Sequence, residues 1–410
     1  MTQGISGKTI RLTVAQALVK YIAAQYSVAD GHRQRFVPAS LGIFGHGNVA
    51  GLGQALDQFS DDLPFVQGRN EQGLAHSAVA FAKAHKRRQV LAVTASVGPG
   101  AMNMVTPAAL ATVNRIPVLL LPGDVYATRR QGPVLQQLEY PGGPDVSVND
   151  AFRPISRFFD RITRPEQLLV SLPQAFRVLA NPAETGAVVI SLPQDVQSHA
   201  FDYPVEFFAD KDWIIRRPTP EPDEITAVAA MITAAKKPVI VAGGGIHYSD
   251  ATAELEALAN ATGIPVAETF AGKGAIQNAG PWHLKGIGLE GTPQTRTIVA
   301  EADLIVHVGT RLTDFATGSQ SMFDNPDVKF ASINVCEHDG IKQGATTIVA
   351  DAKKALAALA SAVQGYSVPA AWTATVTERM TEWEGMRAAA LDPTVLFDQS
   401  TLGDSEPTDA

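Results

Sequence analysis

From residue 41 onward, short apolar runs alternate with segments whose apolar residues recur at helical spacing, the pattern of a parallel sheet covered by helices. Residues 41–44, 91–94, 118–121 and 188–192 read as buried strands. Between them, 72–85 places Leu74, Ala75, Ala78, Val79 and Ala82 on one helical face, and 165–179 opens at a proline suited to a first helical turn. Residues 1–200 are therefore expected to form one α/β domain. The pattern breaks at 201–222, where Tyr203-Pro204, Arg216-Arg217-Pro218 and the spaced Pro218, Pro220 and Pro222 suit an extended linker. A second alternating series over 223–365 predicts helices at 223–235, 251–262 and 351–364 and strands at 239–242, 264–267, 304–308 and 330–335. The fold class expected is thus α/β, with two successive parallel-sheet domains. Beyond 365 the pattern thins, and 366–410 reads as a C-terminal tail ending in a polar, acidic stretch.

Composition narrows the function. The 410 residues are 45% hydrophobic and 18% charged, enough apolar material for two or three cores. A net charge of −8 opposes nonspecific binding to nucleic acid or an anionic membrane, so neither is expected as a partner. No run reaches the roughly 18 apolar residues of a membrane span, and no basic-then-apolar leader opens the chain, so the expected location is cytoplasmic. The one cysteine, Cys336, excludes an intramolecular disulfide and reads as a small buried hydrophobe on a strand. Nine histidines and forty-one acids contain no His-x-x-x-His, calcium-loop or paired-cysteine pattern, so no intrinsic metal site is expected.

Two segments carry candidate chemistry. Arg69-Asn70-Glu71-Gln72-Gly73 opens a helix, and Ala95-Ser96-Val97-Gly98-Pro99-Gly100-Ala101-Met102-Asn103 follows one helix and one strand later. Both lie at carboxyl ends of strands, where open α/β sheets bind ligands. Each piece has an ordinary explanation. Asn70 is a good helix cap with an acid in the first turn, and Gly98-Pro99-Gly100 makes a tight turn into a helix. Their order and spacing are less ordinary.

In these segments the sequence resembles the acetolactate-synthase-like thiamine-diphosphate enzymes, whose pyrimidine-binding domain carries a Glu-Gln-Gly/Ala helix start and a Ser-x-Gly-Pro-Gly-Ala-x-Asn loop. The match narrows at Gly42-Ile43-Phe44-Gly45-His46-Gly47-Asn48-Val49-Ala50-Gly51-Leu52-Gly53, at Leu121-Pro122-Gly123-Asp124-Val125, at Ser147-Val148-Asn149-Asp150 and at Phe159-Asp160-Arg161-Ile162. There it is similar to the branch that hydrolyses a carbon–carbon bond of a cyclic trihydroxy-1,2-dione in inositol breakdown. The resemblance runs on through Glu268-Thr269-Phe270-Ala271-Gly272-Lys273-Gly274 and Val308-Gly309-Thr310-Arg311. It implies a pyrimidine-binding domain followed by a central Rossmann-like domain.

The resemblance also implies roles. Glu71 would be catalytic, hydrogen-bonding N1′ of the aminopyrimidine so that the 4′-imino tautomer takes the C2 proton, a task suited to a carboxyl group removed from water. Ser96, Gly98, Pro99, Gly100 and Asn103 would lie against the cofactor. Gly45, His46, Gly47, Asn48 and Gln136 would stand on the substrate side, with His46 a proton carrier or simply a loop residue. The cofactors implied are thiamine diphosphate and Mg²⁺, the substrate a small cyclic dione, and the assembly a homodimer or homotetramer. Related enzymes hold Mg²⁺ and the diphosphate on a third domain with a Gly-Asp-Gly segment and a following Asn. Gly403-Asp404-Ser405 lacks the second glycine and the asparagine, so the chain is expected to be inactive alone, with residues 366–410 the start of that further domain. Two alternatives stand: an acetolactate-synthase-like lyase on 2-oxo acids, or a noncatalytic partner subunit. Val241-Ala242-Gly243-Gly244-Gly245 has the look of a dinucleotide turn, but Tyr248 stands where its third glycine belongs.

Overall fold

The computed structural model describes residues 7–127, 135–138, 140–143 and 145–392. The chain folds as two units, 1–216 and 217–410, each with its own sheet and core.

The first unit contains β1 (Thr9–Thr13), β2 (Gln25–Ala29), β3 (His32–Arg35), β4 (Ser40–Gly42), β5 (Phe65–Gln67), β6 (Ala92–Ala95), β7 (Val118–Asp124), β8 (Phe158–Arg161), β9 (Ala187–Pro193), β10 (Ala200–Pro204) and β11 (Lys211–Ile214). Six of them form a parallel sheet in the order β5-β4-β6-β7-β9-β8. Every residue of β7 and β9 is buried, because helices cover both faces of the sheet and leave no polar side to alternate with. Side chains alternate between the faces at period two. Leu119, Leu121, Val188 and Ile190 pack with the helices Val14–Ala23 and Leu168–Ala180, while Val118, Leu120 and Val189 pack with Glu71–Ala84 and Val105–Val113.

The stretch 201–222, expected as a linker, is largely structured. β10 pairs antiparallel with β1, and β11 extends a small sheet of β2 and β3. Trp213 packs against the first unit's core and donates from Nε1 to the Gln25 side chain at 2.9 Å. The prolines hid these strands because Pro204 ends β10 and the Pro218–Pro222 cluster lies beyond β11, so none removes a ladder donor inside a central strand.

The second unit contains β12 (Pro238–Ala242), β13 (Val266–Glu268), β14 (His283–Gly286), β15 (Leu304–Val308), β16 (Lys329–Asn334) and β17 (Thr346–Val349). They form a parallel sheet in the order β14-β13-β12-β15-β16-β17. Together the two sheets make the α/β architecture of two successive domains. The tail expected after 365 includes the helix Ala370–Ala390, which belongs to this core: Trp372, Val376 and Met380 are buried, and Trp372 Nε1 donates to the Pro238 carbonyl at 3.1 Å. A seam of single residues four apart is too thin for periodicity to mark. Cys336 lies beyond the end of β16 and is half-buried, not a strand residue.

His307, in the middle of β15, is fully buried. Its Nδ1 faces the Thr310 carbonyl at 3.3 Å; its Nε2, and the hydroxyl of its ladder neighbour Ser332, have no hydrogen-bond partner among the described residues. Burial lowers the His307 pKa from 6.5 to about 4, against a small opposing effect of the Thr310 carbonyl. Between these values the unfolded chain binds the proton more readily, so stability rises with pH across the window and is lost as pH falls toward 4. The contribution is about 3 kcal/mol at ~1.4 kcal/mol per pH unit. Urea unfolding of His307→Leu between pH 4 and 7 is expected to show the second unit's acid sensitivity reduced by that amount.

Candidate active site

The order of the first sheet reverses at β4, since β5 lies on one side of it and β6 on the other. The loops leaving β4 and β6 therefore diverge to opposite faces, opening a crevice at their carboxyl ends. The two loops singled out from the sequence, 45–48 and 96–103, both start there.

Asn70 caps the helix Glu71–Ala84, accepting from the Gly73 amide at 2.9 Å, which fixes Glu71 as its first residue. Glu71 is half-buried, and its Oε2 accepts from Asn103 Nδ2 at 2.9 Å. A Cβ on Gly100 would stand 3.1 Å from Glu71 Oε1, so that glycine leaves open the space beside the second oxygen. Gly98 has φ +67°, and a Cβ there would fall 1.8 Å from the Gln136 carbonyl oxygen; both conformation and contact require glycine. Pro99 takes the first position of the short helix Pro99–Met102.

On the other side, the 45–48 turn closes on itself. Asn48 Oδ1 accepts from the Gly45 amide at 2.9 Å, and Asn48 Nδ2 donates to Thr94 Oγ1 at 3.0 Å. Gln136 Oε1 lies 3.0 Å from Ser96 Oγ and 3.1 Å from His46 Nδ1, joining the two loops. Since Ser96 Oγ faces the Gly47 amide at 3.4 Å, its proton goes to Gln136. All the residues expected around the cofactor and substrate are thus brought to one crevice, with Glu71 and Asn103 bonded directly to each other.

Beneath both loops lies a buried polar group whose role sequence reasoning did not supply, although its pieces stood among the motifs. Gly123 at the end of β7 touches the two loops at once: a Cβ on it would be 2.7 Å from the Gly47 carbonyl oxygen and 3.2 Å from the Val97 amide. Its carbonyl is held by Asn149 Nδ2 at 2.9 Å, and Asn149 also donates to Ser191 Oγ at 2.8 Å. Next to it, the fully buried Asp124 carboxylate accepts from Arg161 Nε at 2.7 Å, Ser191 Oγ at 2.5 Å, the Val125 amide at 2.8 Å and Ser147 Oγ. Burial works against the Arg161 charge, but Asp124 and Asp150 outweigh it and hold the guanidinium above its ordinary pKa. For Asp150, burial is likewise outweighed, by Arg153, the Ser147 amide and Arg161, so its carboxyl lies below the usual range.

In the second unit the glycines that follow β12 pack against the backbone that follows β15. A Cβ on Gly243 would meet the Gly309 carbonyl at 2.5 Å, and one on Gly245 the Gly309 Cα at 2.5 Å. Glu268, which ends β13 where a ribose acceptor would stand, is buried and accepts from the Ile276 amide at 3.1 Å and faces His283 Nε2 at 3.3 Å. These glycines serve close packing of strand ends. Among the described residues, no group of three or more His, Cys, Asp or Glu side chains is placed to hold a metal, and no helix is long and apolar enough to cross a membrane. Gly403-Asp404-Ser405 lies outside the described residues.

Residues 43–142 match the model of the thiamine pyrophosphate enzyme N-terminal TPP binding domain, and residues 225–359 that of the thiamine pyrophosphate enzyme central domain. The chain is similar to the 3D-(3,5/4)-trihydroxycyclohexane-1,2-dione hydrolase of Bacillus cereus (strain AH820), at 49% identity over 377 residues, and to that of Bacillus thuringiensis (strain Al Hakam), at 48%. Each alignment covers 92% of this chain and 58% of the relative, so the chain spans under two thirds of the length of these curated relatives. The crevice residues lie within the first match, apart from the Asp124 partners beyond 142, and the chain belongs to the thiamine pyrophosphate enzymes, of which it carries the N-terminal TPP binding and central domains.

Proposed function

We propose that the chain supplies the pyrimidine-binding half of an enzyme that hydrolyses a carbon–carbon bond of trihydroxycyclohexane-1,2-dione in inositol catabolism. The observation that carries this reading is the Glu71–Asn103 pair beside Gly100 at the sheet's switch point, in a chain half identical to hydrolases of that name.

The residues fit a planar aminopyrimidine. One Glu71 oxygen is held by Asn103, and the other borders a residue with no side chain, which lets a ring approach the carboxyl group closely. Bound thiamine diphosphate supplies the electron sink that carbon–carbon cleavage needs. Glu71 holds the proton at N1′, and Asn103 keeps the carboxyl group oriented for it. Ser96, Gly98 and Pro99 bring the loop backbone against the cofactor. On the opposite side, Gly45, Gly47 and Asn48 shape the substrate wall. Because Gln136 Oε1 only accepts, His46 donates to it from Nδ1, which orients the ring beside the substrate wall.

The diphosphate and its Mg²⁺ require ligands from another domain, since a doubly charged group of this kind needs a metal or donors to balance it. The enzyme works in the cytoplasm as a homodimer or homotetramer. Gly100→Ala tests the fit. The added methyl takes up the space beside Glu71 Oε1 at a cost of about 1–3 kcal/mol, hence roughly five- to 150-fold in cofactor affinity, read by titrating thiamine diphosphate and Mg²⁺ into the apoenzyme. The substrate is tested by offering the product of the intact gene the cyclic dione and pyruvate, with thiamine diphosphate and Mg²⁺. Ring opening of the dione supports the reading, and turnover of pyruvate alone would replace it with a lyase.

A further inference from the structure

We propose that Gln197, downstream of β9 and far from both loops in sequence, is a positioning residue for the substrate wall; this rests on the reading of the 45–48 turn given above. Gln197 is 1% exposed, and its amide is used on three sides. Nε2 donates to the Gly47 carbonyl at 2.8 Å and to the Leu192 carbonyl at 2.9 Å, while Oε1 accepts from the Leu52 amide at 3.0 Å.

The two ends of the turn and its following helix are thereby tied to the end of β9 by one side chain. The helix that follows opens with a π turn, Val49–Gly53, before continuing as the short α-helix Gln54–Gln58, and the clamp holds this irregular opening turn. Drawing the Gly47 carbonyl inward fixes that peptide plane and leaves the Asn48 amide to the Gly45 carbonyl, 3.1 Å away. His46 stands at the apex of the turn so formed. Gly51 confirms how closely the clamp fits: a Cβ there would lie 2.4 Å from Gln197 Oε1. Gln197 touches no expected position of substrate or cofactor, so its effect on the reaction passes through the turn.

Three variants separate this role from general stabilisation. Gln197→Met removes all three bonds. Gln197→Glu keeps an oxygen for the Leu52 amide but cannot supply both of the donors that the Gly47 and Leu192 carbonyls accept from. Gly51→Ala, at a backbone conformation open to alanine, pushes Gln197 aside without altering it. Hydrogen exchange of the Leu52 amide, measured on the 410-residue chain, is expected to accelerate at least about tenfold in Gln197→Met and Gly51→Ala and to stay slow in Gln197→Glu. In the product of the intact gene, all three are expected to raise KM for the dione on the order of tenfold or more. A loss of folded enzyme alone would lower kcat and leave KM unchanged, and that result would overturn the proposal. Unchanged Leu52 exchange in Gln197→Met would overturn it as well. If Gln197→Met does not fold, Gly51→Ala decides by the same two readings. If the parent enzyme opens no dione, the functional reading fails, and Leu52 exchange alone decides whether Gln197 holds the turn.

Discussion

In the product of the intact gene, supplied with thiamine diphosphate and Mg²⁺, Glu71→Gln is expected to lower dione hydrolysis by about 10²- to 10⁴-fold, the range that removal of a positioned acid–base group produces. The substitution keeps the side chain's shape, and its amide oxygen still accepts from Asn103, so the geometry of the pair survives. What it removes is a group able to hold and return a proton at the pyrimidine. The fold loses little. Glu71 contributes to the start of its helix only through the dipole, roughly 0.3–1 kcal/mol, while the Asn70 cap, worth about 1 kcal/mol, is untouched. The expected result is therefore an enzyme of nearly parental melting temperature whose turnover is lowered to that extent. Near-parental turnover in this variant would take Glu71 out of the mechanism.

Asp124→Asn is expected to destabilise the first unit by about 3 kcal/mol, the lower end of what breaking a buried ion pair costs. The lower end applies because Arg161 keeps Asp150, 3.0 Å from its guanidinium, as a second partner. The fully buried asparagine would also turn an amide group toward neighbours that all donate: Arg161, Ser147, Ser191 and the Val125 amide. Adding Arg161→Met to Asp124→Asn removes the charge that has lost its buried partner and is expected to recover 1 kcal/mol or more, a coupling of the size found for contacting residues, about 0.5–3 kcal/mol. Urea unfolding followed by fluorine NMR of 5-fluorotryptophan at Trp213, the tryptophan of the first unit, reads both values. Additive losses in the double variant would contradict the ion pair's role. Because Gly123 supports both loops of the crevice, turnover should fall in Asp124→Asn even where the unit remains folded.

Much of this was legible in the sequence because it is local. The runs at 118–121 and 188–192 are apolar at consecutive positions, as only a doubly covered strand requires, and they fall within β7 and β9. The loops 45–48 and 96–103 carry their own glycines and asparagines and stand at strand ends by chain order alone. The parts not legible are those held together across long separations or by sparse contacts. Asp124 finds Arg161 thirty-seven residues on, and Gln197 reaches Gly47 across 150 residues; neither separation leaves a periodic trace. β1, with three exposed residues of five, is a strand only because β10 pairs with it. The helix Ala370–Ala390 buries too few side chains for an apolar stripe to show. Tertiary pairing, not local preference, decides such elements.

In the function proposed, the switch point between β4 and β6 holds the pyrimidine half of thiamine diphosphate. The most direct test of this is amide chemical-shift mapping of the 410-residue chain titrated with 4-amino-5-hydroxymethyl-2-methylpyrimidine. Perturbations at Glu71, Gly98, Gly100 and Asn103, absent in Glu71→Gln, are the result predicted. Perturbations confined to Gly243, Gly244 and Gly245, or none at saturating ligand, would contradict it.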